Sequence, residues 1–101
     1  MNCGKFKLLN ATVIGRICYS GETKMVFIIS VRKNIEIIDN LLKFDYLIIK
    51  IMNFIIVSKV RKASNARTIF IHIPYKLRKH LMQFLDMEIQ AEVLAGVSMG
   101  V

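Results

Sequence analysis

The sequence predicts an α+β fold of two β-β-α-β units, and three observations carry it. The spacing of apolar residues switches from strand-like to helix-like and back, twice in the same order along the chain. At 101 residues the chain has room for one domain, 1–101, in which two small units would have to share a core. Its residues are 54% hydrophobic, with one Pro and five Gly, which is material for a packed interior and not for disorder.

The first unit opens with Ala11 to Tyr19 and Lys24 to Val31, β-branched and apolar, around the turn residues Ser20, Gly21 and Glu22, so a hairpin is expected. From Asn34 to Phe44, the residues Ile35, Ile38, Leu41 and Leu42 take the spacing of one helix face. Asp45 to Met52 returns to strand composition. The second unit runs from Phe54 to Arg61 as strand, Ala63 to Ala66 as turn and Thr68 to Ile73 as strand. Pro74 then suits the first position of a helix, where its missing N–H costs nothing. Tyr75 to Leu85 carries Leu77, Leu81, Phe84 and Leu85 at helical spacing, and Glu88 to Leu94 closes as a strand. The end from Ala95 to Val101 reads equally well as a frayed tail or as part of a docking surface running from Met82 to Val101.

At an offset of 43, Arg16 aligns with Lys59, Lys24 with Arg67, Phe27 with Phe70, Ile28 with Ile71 and Leu42 with Leu85. An internal repeat, 11–53 and 54–96, is therefore expected, with a slip of one residue in the final strands. Three short strands and one helix cannot bury both layers alone. Two such units in one chain can close each other's sheet edges around a pseudo-twofold axis.

The segment from Ser64 to Leu81 resembles the swapped-hairpin DNA-binding proteins of the AbrB, MazE and SpoVT type. The shared pattern is a basic turn, an Ile-rich strand ending in Ile73-Pro74, and a short helix with Leu77 and Leu81 four residues apart. The likeness is clearest over Val57 to Val93 and fainter over Thr12 to Ile51. Val31-Arg32 stands where the first unit would carry Ile-Pro, and Asp86-Met87-Glu88 replaces the common Gly-Asp after the helix. The resemblance implies a barrel in which two β-β-α-β repeats interlock as a pseudo-twofold swapped-hairpin pair with two short helices, fused here in one chain. It also implies that basic hairpin residues grip DNA.

Charge points the same way independently. Fifteen Lys and Arg against seven Asp and Glu leave a net +8. Residues 5–33 carry +5 and residues 59–79 carry +7, while the remaining stretches are near neutral or acidic. Such segregation favours a polyanionic partner, double-stranded DNA first, with RNA sharing the charge argument. The most apolar window, Tyr46 to Val57, is broken by Lys50 and Asn53 and is far shorter than the ~20 residues that span a bilayer, so no membrane partner is expected.

The candidate DNA contacts are Arg16, Lys24, Lys59, Arg61, Lys62, Ser64, Asn65 and Arg67. Arg61 and Arg67 present the guanidinium fork that matches phosphate and guanine acceptors, and Ser64 and Asn65 can donate to phosphate or read a base edge. Lys76, Arg78 and Lys79 read instead as the solvated side of an amphipathic helix. Most aromatics sit at core-facing spacing, and Tyr19 beside the first turn is the one candidate for stacking on a base.

Catalytic and metal chemistry find no footing in the sequence. His72 alternates with Ile69, Ile71 and Ile73, and His80 lies on the second helix, each without a ligand-spaced Cys, Asp or Glu. Ser20, Ser30, Ser58, Ser64 and Ser98 lack a paired base, and the glycines are scattered rather than grouped in a phosphate loop. No enzyme, cofactor or metal is expected. Cys3 and Cys18 read as free thiols of a reducing cytoplasm, and the start of the chain shows no secretory signal. The expected function is that of a DNA-binding protein, a transcription regulator or chromatin-type binder. RNA binding and a protein-interaction module, antitoxin-like or a complex-assembly subunit, remain alternatives, and homo-oligomer formation is left open.

Overall fold

The computed structural model describes residues 5–62 and 68–99, with 61 and 62 as backbone only. Among the described residues seven strands, β1 (Lys5–Ser20), β2 (Lys24–Ile29), β3 (Tyr46–Ile51), β4 (Phe54–Lys59), β5 (Arg61–Lys62), β6 (Ile69–His72) and β7 (Glu88–Ser98), form one sheet in the order β4-β3-β7-β1-β2-β6-β5. Every ladder is antiparallel. Two short helices, α1 (Ile38–Leu41) and α2 (Arg78–Leu81), accompany the sheet, the second flanked by 3-10 turns at Tyr75–Leu77 and Met82–Phe84. No described helix is long and apolar enough to cross a membrane.

The sheet curls into a half-barrel because single stretches of chain serve more than one neighbour. β1 pairs with β7 from Lys5 to Arg16 and with β2 from Gly15 to Ser20. β4 lies at one edge and β5 at the other, yet only Val60 separates them in sequence. The Val60 N–H donates to the Asp45 carbonyl at 2.8 Å, and the His72 N–H reaches across to Ser58 Oγ at 3.2 Å, which draws the β4 edge against β6. The register shifts on both sides of β7 at Leu94, which faces Leu9 and Asn10 of β1 on one side and is skipped between Ile48 and Ile49 of β3 on the other, and these irregularities add the local bend. Asn10 absorbs the first of these at a φ of 49°, in the left-handed region that Asn tolerates better than most residues.

Strand alternation fills the interior. Val13 and Ile17, Met25, Phe27 and Ile29, Leu47, Ile49 and Ile51, and Ile69, Ile71 and Ile73 all point inward and are fully buried, joined by Ile38, Leu41 and Leu81 from the helices. Each such side chain contributes roughly 1.5–3 kcal/mol when removed from water. Phe27 lies over Gly15 so closely that a Cβ there would sit 2.3 Å from the ring, and the Phe44 ring covers Gly96 in the same way at 2.5 Å.

Three expectations are corrected. The first helix does not span Asn34 to Phe44: only Ile38–Leu41 is α-helical, preceded and followed by turns. Its N-cap, Ile37, offers no side-chain acceptor, Asn34 is occupied elsewhere, and Ile35 is left exposed. The frayed tail is not found over Ala95 to Ser98, which continues β7 and pairs with Lys5 to Leu8 on one side and Tyr46 to Ile48 on the other. Ala95 and Gly96 are buried there, so they offer nothing to a docking partner. Nor do most of the nine aromatics face the core: Phe27, Phe44, Phe54 and Phe84 do, whereas Phe6, Tyr19 and Tyr75 are exposed and Tyr46 and Phe70, half-buried, alternate with the core-facing residues of their strands.

Asn34 holds the place where β2 runs out. β2 stops pairing with β1 at Gly15↔Ile29, which leaves the Ile14 peptide groups without a strand neighbour on that side. The Asn34 side chain takes over, accepting from the Ile14 N–H at 2.8 Å and donating to the Ile14 and Ser30 carbonyls at 2.9 and 2.8 Å. Its own backbone carbonyl accepts from Ile37 and Ile38, starting the turn into α1. Replacing Asn34 by Ala strands three backbone groups in a buried place and is expected to cost about 3 kcal/mol in urea unfolding. Asn34→Asp, which keeps the acceptor and sets a carboxylate against two carbonyls, should lose at least as much; a stable Asp variant would show that shape alone matters there.

Candidate nucleic-acid interface

Alternation along β2, β4 and β6 turns one set of residues away from the core. On β2, Lys24 and Val26 alternate with the buried Met25 and Phe27; on β6, Phe70 and His72 alternate with Ile69 and Ile71; on β4, Lys59 follows the buried Ser58. Cross-strand pairing sets Val26 opposite His72 and Ile28 opposite Phe70. Because the curled sheet brings β4 against β6, the outer face here becomes a groove of about 610 Å³ lined by Lys24, Val26, Val57, Lys59, Phe70 and His72 among others. β6 lies between β2 and β4, so Lys24 and Lys59 stand on its two sides, with His72 exposed between them. Among the described residues, no carboxylate lines this groove.

A second groove, about 400 Å³, opens where β1, β2 and β7 meet and is lined by Arg16, Ile28, Ser30, Arg32, Lys33 and Glu88 together with Ile14 and Gly15. Its cations are partly engaged. Arg16 Nη1 donates to the Asp86 carbonyl at 2.5 Å, and Lys33 Nζ lies 3.4 Å from a Glu88 carboxylate oxygen. Asp86 is itself fixed, with its N–H on the Ile17 carbonyl and a φ of 63°. An exposed pair such as Lys33–Glu88 stabilises by less than about 1 kcal/mol and yields readily to a competing anion.

Of the candidate contacts, Lys24 and Lys59 come together in the first groove and Arg16 lies in the second. Arg61 and Lys62 form β5, whose backbone pairs with Phe70 and Ile69 of β6, next to the first groove. Ser64, Asn65 and Arg67 lie outside the described residues. Sequence reasoning missed Arg32, Lys33 and His72 as members of this surface. The alternation of His72 with three isoleucines already marked it as outward-facing, but its place beside two lysines depends on the curl. Among the described residues no three His, Cys, Asp or Glu side chains are grouped as a metal site.

Cys18 sits on the same outer face, half-buried and paired with Val26. Burial pushes its thiol up from the ordinary range, the Asp86 carboxylate adds to this, and Arg16 pulls the other way. Since only the thiolate is nucleophilic, Cys18 should alkylate with a pH midpoint above that of a free cysteine, measured in a Cys3→Ser background. Arg16→Gln removes the lowering influence and should move that midpoint further up; a downward move would show that the Arg16 charge is not felt at the sulfur. Comparison with protein-family models, with curated proteins and with solved structures finds no match to this chain.

Proposed function

We propose that this chain is a DNA-binding protein, a transcription regulator or chromatin-type binder, that grips the duplex backbone with the outer face of its β2–β6 region. The observation that carries the reading is the pairing of Lys24 and Lys59 from distant parts of the sequence in one groove with His72 and, among the described residues, no lining carboxylate. Unneutralised cations held close repel one another, and an anionic strand laid across them gains both attraction and counterion release. Arg16, Arg32 and Lys33 in the neighbouring groove extend the cationic track.

The finer architecture is part of the same proposal: two interlocked β-β-α-β repeats of swapped-hairpin type around a pseudo-twofold axis. The strand registers support it. Shifting by the offset of 43 carries Phe27↔Ile71 onto Ile28↔Phe70 and Val26↔His72 onto Ile29↔Ile69, so the β2·β6 ladder maps onto itself. The same shift carries the Ala11–Arg16 part of the β1·β7 ladder onto β4·β3 within one residue.

A protein-interaction role is favoured by a different observation. Leu8 and Val57 are exposed at the two ends of one row that crosses β1, β7, β3 and β4 through the buried Ala95 and the half-buried Ile48. Copurification of a stoichiometric protein with no nucleic acid would favour that reading over the first.

Duplex binding should weaken with salt, with log K falling against log salt at a slope of roughly −5 if about six phosphates are contacted. Lys24→Glu with Lys59→Glu should lower affinity at least tenfold and flatten the slope by about 2, with the circular dichroism spectrum unchanged. Salt-independent binding, or full affinity in the folded double variant, would remove the assigned face.

A further inference from the structure

We propose that the groove between the tip of the β1–β2 hairpin and the start of the second helical run binds an unpaired nucleobase together with its phosphate. The groove measures about 650 Å³, inside the range of small-ligand sites. Tyr19, Tyr75 and Met82 supply its apolar surface, and Lys76, Arg78 and Lys79 supply its charge. Glu22 and Thr23 of the hairpin turn complete the lining and leave it net cationic.

Tyr75 is 80% exposed, on a chain whose core is filled without it. It is nevertheless not loose. The Arg78 guanidinium lies 5.0 Å from the centroid of the Tyr75 ring and also donates to the Thr23 carbonyl, so the helical run is tied to the hairpin turn through one side chain. A guanidinium over one face steadies the ring and leaves the rest open to solvent. A pre-positioned aromatic face loses little freedom when a flat partner stacks on it.

Tyr19 approaches from the hairpin. It has the parity of Ile17 and pairs with Met25, both buried, so it leaves the core-facing side at the end of the strand, where Cys18 and Lys24 occupy the outer side. The groove therefore lies off the surface formed by Lys24, Lys59 and His72. Lys76 and Lys79 are both exposed and lie three residues apart, on one side of the helical run. A flat apolar face beside two exposed cations matches a base with its phosphate: the ring stacks, the phosphate meets the ammonium groups. Paired bases in a duplex offer no free face, so the occupant is an unpaired base in a strand or a free nucleotide.

The site does not depend on the duplex reading, and the test separates them. A short single-stranded oligodeoxynucleotide containing 2-aminopurine is titrated with the full chain, and stacking is read as fluorescence quenching. The chain has no Trp, so protein emission does not interfere. Tyr75→Ala should weaken binding about tenfold, Tyr75→Phe should keep it, and Lys76→Ala with Lys79→Ala should weaken it most at low salt. Tyr75→Ala should leave the melting temperature and duplex affinity in place, because the ring is outside the core. Adenosine monophosphate competing for the site identifies free nucleotides as occupants, and failure to compete while Tyr75-dependent quenching persists identifies a strand. Absence of quenching, or quenching that survives Tyr75→Ala and is lost in the Lys24→Glu, Lys59→Glu variant, overturns the proposal. Loss of duplex binding with Tyr75-dependent quenching intact overturns the duplex reading alone.

Discussion

The fold rests on how the sheet finds neighbours for chain segments that outrun their partners. β1 is too long for either β2 or β7 alone, and it divides its length between them, overlapping at Gly15 and Arg16. The stretch from Phe54 to Lys62 does the same with a break at Val60, giving its first part to β3 and its last to β6. A backbone group left unpaired in a buried place costs about as much as several buried methylenes. Where a strand ends early, something else must take its place. At Ile14 that substitute is the side chain of Asn34, and at the β4–β6 seam it is the hydroxyl of Ser58. Asn34 and Ser58 are the buried polar residues among the described side chains, and both stand at such ends.

Much of this order was legible in the alternation of isoleucines. Ile69, Ile71 and Ile73 against Phe70 and His72 place a core face and an outer face without any coordinates. Less legible was the start of β1, because Asn10 at the bulge resets the alternation, so that Lys5 to Leu8 does not continue the pattern of Val13, Gly15 and Ile17. The first helix looked longer than it is for a related reason. The spacing of Ile35, Ile38 and Leu42 is helical, but periodicity records which residues could share a face, not where the backbone is held by other bonds. Ala95 and Gly96 resembled a tail because small residues carry no apolar signal, although Gly96 is small to admit the Phe44 ring.

The candidate site shows the same division. That Lys24 and Lys59 point outward follows from single-strand parity, which sequence supplies. That they share a groove follows from the curl, which sets the β4 edge of the sheet against β6, five places away in the strand order. Aromatic exposure was the poorest guide. Tyr75 has the composition of a core residue and the position of a surface one, and only its contact with Arg78 and the open volume beside it reveal the difference.

The two grooves of the outer face differ in what an anion would displace. In the second, Arg16 already satisfies the Asp86 carbonyl and Lys33 is matched by Glu88, so an incoming phosphate replaces interactions that exist. In the first, no carboxylate among the described residues lines the wall around Lys24 and Lys59, and salt screens their repulsion. An anion therefore gains more per contact in the first groove than in the second. Both lysines are exposed, so the repulsion they add to the folded state is small and screened. A core of isoleucines carries that burden easily, and the surface can stay cationic without help from acidic neighbours.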